Sequence, residues 1–182
     1  MTGTTDSAAV LAVRRWVDDL VVGLNLCPFA KTELINERVR FTECATTSEV
    51  ALLDALATEL ELLAATPAIE TTLLVHPQVL QDFADYNQFL NEVDALLEGL
   101  QLDGVFQVAS FHPDYQFGGT AVDDAENYTN RSPYPLLHIL REASLERVIA
   151  AHPDTAEIPL RNVELMNSMG TAKLRAMLAA LI

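Results

Sequence analysis

Basic side chains are scarce. The chain carries 11 lysines and arginines against 26 aspartates and glutamates, a formal net charge of −15. Binding to nucleic acid rests on cationic side chains that neutralise phosphates and release counterions, so this balance argues against such a partner and against a membrane surface. Cysteine is scarce too: Cys27 and Cys44 lie in segments of different character, and a chain of this kind is expected to keep both as thiols. No apolar run approaches the roughly 20 residues that a membrane span requires. The opening MTGTTDSAAV has neither the basic region nor the apolar run of a secretory signal. A soluble, cytoplasmic protein is expected, while its oligomeric state is left open.

Apolar residues are plentiful. They make up 50% of 182 residues, enough to bury one core, so a single α/β domain over residues 1–182 is expected without a staple of disulfides or metal. The acidic residues are scattered through helical segments, as with Asp54, Glu59, Asp85 and Glu92, in the manner of solvated helix faces.

Spacing then assigns the elements. Val10, Val13, Val17, Leu20 and Val21 mark a helix over Ser7 to Gly23, and Pro28 keeps Cys27 out of it in a turn. Alternation from Arg38 to Cys44 reads as an edge strand, and Thr46 with Glu49 as a capping box ahead of a helix from Ser48 to Ala65. Glu70 to Val75 reads as a central strand ended by His76 and Pro77, followed by a helix that stops at Gly99. Gly104 to Phe111 gives a third strand, ended by His112 and Pro113. A long polar loop follows to Arg131, and Ser132 with Pro133 look like the cap and first turn of a fourth helix reaching Ala151. A last helical region follows Pro159, interrupted near Gly170. Alternating strands and helices imply a small three-stranded, mainly parallel sheet covered by helices on both faces, with the long polar loop before the fourth helix. Ligands bind such sheets beyond the carboxyl ends of the strands, where Cys44, His76 and His112 fall.

Three segments concentrate chemistry. FHPDYQF groups His112, Asp114 and Tyr115 after a strand, candidate catalytic residues together with Cys27 of GLNLCPFA, a loop thiol suited to act as a nucleophile if a histidine stands nearby. In NYTNRSPYPLLHILRE, Asn127, Asn130 and Arg131 precede the expected helix start, where free amides and a guanidinium would hold a carboxylate or phosphate. His138 and Glu142 stand four apart, so one helical face would carry both. With His76 and His112 they form a candidate ligand set for Zn or Fe, although no contiguous motif such as H-E-x-x-H is present. Each feature also has a bland reading: strand-end histidines, a surface ion pair, a buried thiol, or an arginine pinning its own loop to Asp123, Asp124 or Glu126.

Together GLNLCPFA, ETTLLVHP with FHPDYQF, and NYTNRSPYPLLHILRE resemble an uncharacterised family of bacterial proteins of about this length, known only as a domain of unknown function. The similarity runs from about Trp16 to Leu165. It implies no activity, falls on the segments chosen above, and leaves out Cys44, His152 and everything after Gly170. Three readings stay open: a metal-dependent enzyme acting on a small anionic molecule, a metal-free Cys/His enzyme, and a non-catalytic ligand-binding module.

Overall fold

The computed structural model describes residues 6–151 and 153–182. His152, which follows the expected end of the fourth helix, lies outside them. Four strands form the sheet: β1 Val39–Glu43, β2 Thr71–Val75, β3 Phe106–Phe111 and β4 Leu136–Arg141, in the order β1-β2-β4-β3. β1 pairs parallel with β2, and β4 pairs antiparallel with both β2 and β3. The expectation of three mainly parallel strands is therefore corrected to four, with two of three pairings antiparallel. β1, β2 and β3 still run in one direction. Their carboxyl ends share one edge of the sheet, which is also where β4 begins.

The extra strand is LLHILR, expected as part of the fourth helix. A short apolar run fits helix and strand equally well, and tertiary pairing decides between them. Here β4 fills the gap between β2 and β3, so Leu136, Leu137 and Ile139 become fully buried. The helical stripe of His138 and Glu142 dissolves with this change. His138 lies on the strand, and Glu142 opens the following helix, α5 Glu142–Ala151. Ser132 and Pro133 precede a strand. Ser132 donates its hydroxyl to the Tyr134 carbonyl at 2.7 Å and its N–H to the His112 carbonyl.

Six further α-helices among the described residues complete the layers, with α1 Ala8–Trp16, α2 Ala30–Ile35, α3 Glu49–Ala65, α4 Phe83–Gly99 and α6 Ile158–Met169 followed by α7 Thr171–Ala179. α3 is capped by Ser48, whose hydroxyl accepts from Ala51 N–H, while Thr46 accepts from Ser48 N–H; with Ala51 at the third helical position, a simple serine cap stands where the capping box of Thr46 and Glu49 was expected. Asp82 caps α4 by accepting from Ala84 and Asp85 N–H. α3 and α4 cover one sheet face, packing Leu52, Leu56, Leu60 and Val93 on Leu74, Leu137 and Ile139. On the other face α1 and α7 cover Phe41, Leu73, Val75 and Leu136. No helix among the described residues is long and apolar enough to cross a membrane.

The first expected helix breaks into two kinds of coil. After α1 the backbone widens into a π-helix over Val17–Val22. At its end Gly23 N–H reaches the Asp18 carbonyl at 3.0 Å and Leu26 N–H the Val21 carbonyl at 2.8 Å. Gly23 is required there because a Cβ would stand 2.2 Å from the Asp19 carbonyl oxygen. Asn25 then turns the chain in a left-handed conformation at φ 54°, which asparagine tolerates better than most residues. This widened coil and turn deliver Cys27 to the surface as an exposed thiol.

Candidate functional site

The two His-Pro pairs meet at the shared sheet edge, as expected, and both histidines are fully buried. Their rings flank Tyr86 of α4, at 5.8 Å for His76 and 5.1 Å for His112. His76 Nδ1 is 3.1 Å from the Val79 carbonyl, which only accepts, so Nδ1 carries the proton. Its buried Nε2 lone pair has no partner among the described residues. His112 is satisfied on both sides: Nδ1 accepts from Asp114 N–H at 3.0 Å, and Nε2–H donates to the Leu80 carbonyl at 3.1 Å. Burial lowers both pKa values, that of His76 to about 4. Tyr86 Oη donates to the Leu136 carbonyl and accepts from Phe111 N–H, tying α4 to β4 and β3. These groups hold backbone; as arranged, they present no free acid or base to solvent.

The polar loop is likewise held by its own side chains. Asn127 accepts from Phe117 N–H and Thr120 Oγ1–H and donates to the Ala121 carbonyl. Arg131 is buried, donating to the Tyr115 carbonyl at 3.1 Å and the Val122 carbonyl at 2.8 Å with its guanidinium over the Tyr128 ring. With β4 in place of a helix, the exposed amides that would have joined Arg131 in an anion clamp are absent here. Arg131 pins the loop through carbonyls, where the sequence suggested carboxylates. Tyr115 packs on Phe83 and Phe117, and Asp114 is exposed. Asp114 and Arg131 border a second hollow of about 340 Å³ with Arg175, which is paired with Asp123 at 3.0 Å.

The other sheet face carries a different arrangement. Between its β2, β3 and β4 residues and the roof formed by α2 and α5 lies a cavity of about 360 Å³. Leu73, Ala109, Phe111 and Leu140 form its floor, Trp16 and Val21 one wall, and Leu145 and Val148 of α5 another. Three of the nominated residues border it: Cys27, Asn130 and His138. Asn130 donates to the Ser110 carbonyl at 3.1 Å. His138 sits in register between Leu73 and Ala109, with Nε2 2.7 Å from Thr71 Oγ1. Thr71 Oγ1 is also 2.6 Å from the Ile139 carbonyl oxygen, a contact that needs the hydroxyl proton. Thr71 must then accept from His138, so Nε2 is protonated and Nδ1 holds the lone pair. Burial pushes the His138 pKa down to about 4.

The nominated metal ligands do not converge. His76 and His112 lie on the α4 side of the sheet, His138 lies on the opposite face, and Glu142 N–H pairs with the Val105 carbonyl at the start of α5. Among the described residues no three His, Cys, Asp or Glu side chains stand together in a way that could hold a metal ion.

A family model described as a protein of unknown function, DUF1415, matches residues 8–176. The chain belongs to this family. The DUF1415 match extends past both ends of the resemblance read from the motifs and takes in α1 and most of α7. Neither a curated protein nor a solved structure matches the chain.

Sequence reasoning missed four parts of this architecture. Tyr86 was an unremarked aromatic in an amphipathic helix, and Arg141, which caps the end of α3 by donating to the Thr66 and Ile69 carbonyls, sat in an assumed helix. The π-helix leaves no trace in apolar spacing. Thr71 had the one available signal, as one of two adjacent hydroxyls, with Thr72, in a central strand whose other residues are apolar.

Proposed function

We propose that this chain binds a small, largely apolar molecule in the cavity between the sheet and α2 and α5. The cavity itself carries the reading: about 360 Å³, walled by aliphatic and aromatic side chains, with a few polar groups set into it. Sites for small molecules have this character and start at about 300 Å³. An apolar cavity of about 150 Å³ takes up benzene, so an alkylated or two-ring molecule fits here. The segments that first drew attention contribute Cys27, Asn130 and His138, and the π-helix stands in its wall through Val17 and Val21; π-helical turns occur frequently at functional sites. Titration with 4-propylphenol and with naphthalene, followed by amide chemical shifts and thermal midpoint, tests this. Binding should disappear in Ala109→Phe, which fills the floor, while the fold persists. Equal shifts in the variant, at residues away from the cavity, would count against it.

A second reading, a metal-free enzyme with Cys27 as nucleophile, is favoured by one observation: an exposed thiol borders the same cavity as a neutral imidazole with a free lone pair. It predicts that Cys27 alkylation slows markedly in His138→Phe. Equal alkylation rates in the two proteins would sink it. The metal-dependent reading has less support because its nominated ligands occupy opposite faces of the sheet, and an anionic substrate has less because Arg131 is engaged by carbonyls.

A further inference from the structure

Several polar side chains border the cavity, and neighbours engage their donors: Thr129 gives its hydroxyl to the Glu126 carbonyl, Asn130 donates to Ser110 and Asn162 to Leu26. Thr71 gives its proton to the Ile139 carbonyl and takes one from His138 Nε2. Nδ1 of His138 is left as an acceptor that makes no hydrogen bond among the described residues. Its neighbours on the sheet face are apolar: Leu73 and Ala109 flank it in register, and the Phe111 ring centroid is 6.1 Å away. His138 is half-buried and its Nδ1 is not sealed off, so water can occupy this acceptor while the cavity is empty, and a ligand able to donate takes that water's place.

The charges around the cavity select further. Glu33 and Glu70 both border it: Glu33 Oε2 stands 3.3 Å from Arg38 Nη1, and Glu70 Oε1 is buried without a hydrogen-bond partner among the described residues. Both carboxylates pair with Arg38, so that one guanidinium is shared between two negative groups. Arg141, the arginine in the lining, donates to the carbonyls of Leu63, Thr66 and Ile69. A carboxylate or phosphate entering here would meet a lone pair and two carboxylates, with both guanidiniums already engaged. Such a charge would also lose its hydration in a mostly apolar enclosure.

We infer that the ligand of this cavity is an uncharged hydrophobe bearing a hydrogen-bond donor, a phenol or alcohol hydroxyl, which it gives to Nδ1 of His138. This rests on the cavity reading above and narrows it to one chemical class. Thr71 is the positioning residue that holds the imidazole in the accepting tautomer.

Three probes of matched shape test it on the full chain: propylbenzene, 4-propylphenol and 4-propylbenzoate, with dissociation constants from amide shifts. The phenol is expected to bind about threefold to tenfold tighter than the hydrocarbon, the contribution of one net hydrogen bond, and the benzoate at least about tenfold weaker than the phenol. In His138→Phe the phenol and the hydrocarbon should bind equally. Long-range ¹H–¹⁵N spectra of the unliganded protein should show His138 protonated on Nε2, with its Nδ1 resonance moving on addition of the phenol; this readout stands even if the variant fails to fold. A hydrocarbon that binds as tightly as the phenol, a benzoate that binds as tightly or more so, or an Nδ1-protonated His138 overturns the inference while leaving the cavity reading in place. Absence of binding by all three probes overturns both.

Discussion

His76 and His112 donate to adjacent carbonyls of a single loop, His76 to Val79 and His112 to Leu80. Leu80 sits at φ 56°, a left-handed conformation unfavourable for leucine, and in that conformation its carbonyl receives the His112 Nε2 proton. The two His-Pro pairs, 36 residues apart in sequence, thus close one clamp on the connection between β2 and α4. Replacing His112 with alanine removes a donor and an acceptor and opens space beside Phe83 and Tyr86. A loss of about 3 kcal/mol in unfolding free energy is expected, measured by urea denaturation. A loss under about 1 kcal/mol would show that the loop holds itself.

Acid should weaken the fold through the other histidine of the clamp. His76 is fully buried, and among the described residues its Nε2 has no acceptor for an added proton, so burial holds its pKa at about 4, against 6.5 for a free imidazole. The unfolded chain therefore takes up a proton first as pH falls. Stability owed to neutral His76 is unchanged above about pH 6.5 and falls between about 6.5 and about 4, by roughly 1.4 kcal/mol per pH unit where the difference is complete. His138 acts in the same direction. Urea midpoints across this window should fall less steeply with acid in His76→Phe than in the parent protein. Parallel slopes would mean that His76 is protonated in the native state.

Much of the scaffold was legible because its signals are local. The helices expected over Ser48 to Ala65 and up to Gly99 are α3 and α4, and the strands expected near 38–44, 70–75 and 104–111 are β1, β2 and β3 within one or two residues at most ends. The shared edge of His76 and His112 followed from strand direction alone. Residues 132–141 misled for a physical reason. Ser132 and Pro133 have helix-start chemistry, and the apolar run passes into α5 without glycine or proline to mark the change from strand to helix. Only the vacancy between β2 and β3, which no local pattern reports, makes Leu136 to Arg141 extended. The site reading divided accordingly. Residues chosen as strand ends stayed together, while those tied to the assumed helix, His138 and Glu142, separated and left Arg131 in a loop.

Arg131 should therefore behave as a structural residue. Its guanidinium serves two carbonyls, those of Tyr115 and Val122, and covers the Tyr128 ring. Replacing it with methionine leaves those carbonyls short of a charged donor, with an expected loss of about 2 to 4 kcal/mol and faster proteolysis within residues 112–131. If instead the midpoint is unchanged and phosphate binding present in the parent protein is lost, Arg131 is an anion ligand after all.

Gly23→Ala sets helix propensity against local geometry. Gly23 has helical dihedrals, φ −60° and ψ −36°, and in an ordinary helix alanine would be better than glycine by about 1 kcal/mol. Here the added Cβ would stand 2.2 Å from the Asp19 carbonyl oxygen and 2.9 Å from its carbon, both backbone atoms that cannot swing aside. The π-helix must then shift, and with it the turn through Asn25 that presents Cys27. A loss of about 2 kcal/mol or more is expected, by analogy with overpacked interiors, together with an altered rate of thiol labelling at Cys27. Gly118→Ala is the control: its Cβ would meet no atom within 4 Å and its φ is not positive, so stability there should change by less than about 0.5 kcal/mol. If Gly23→Ala is instead stabilised, with Cys27 labelling unchanged, residues 17–22 form an ordinary α-helix in solution, and the widened coil plays no part in shaping the cavity wall.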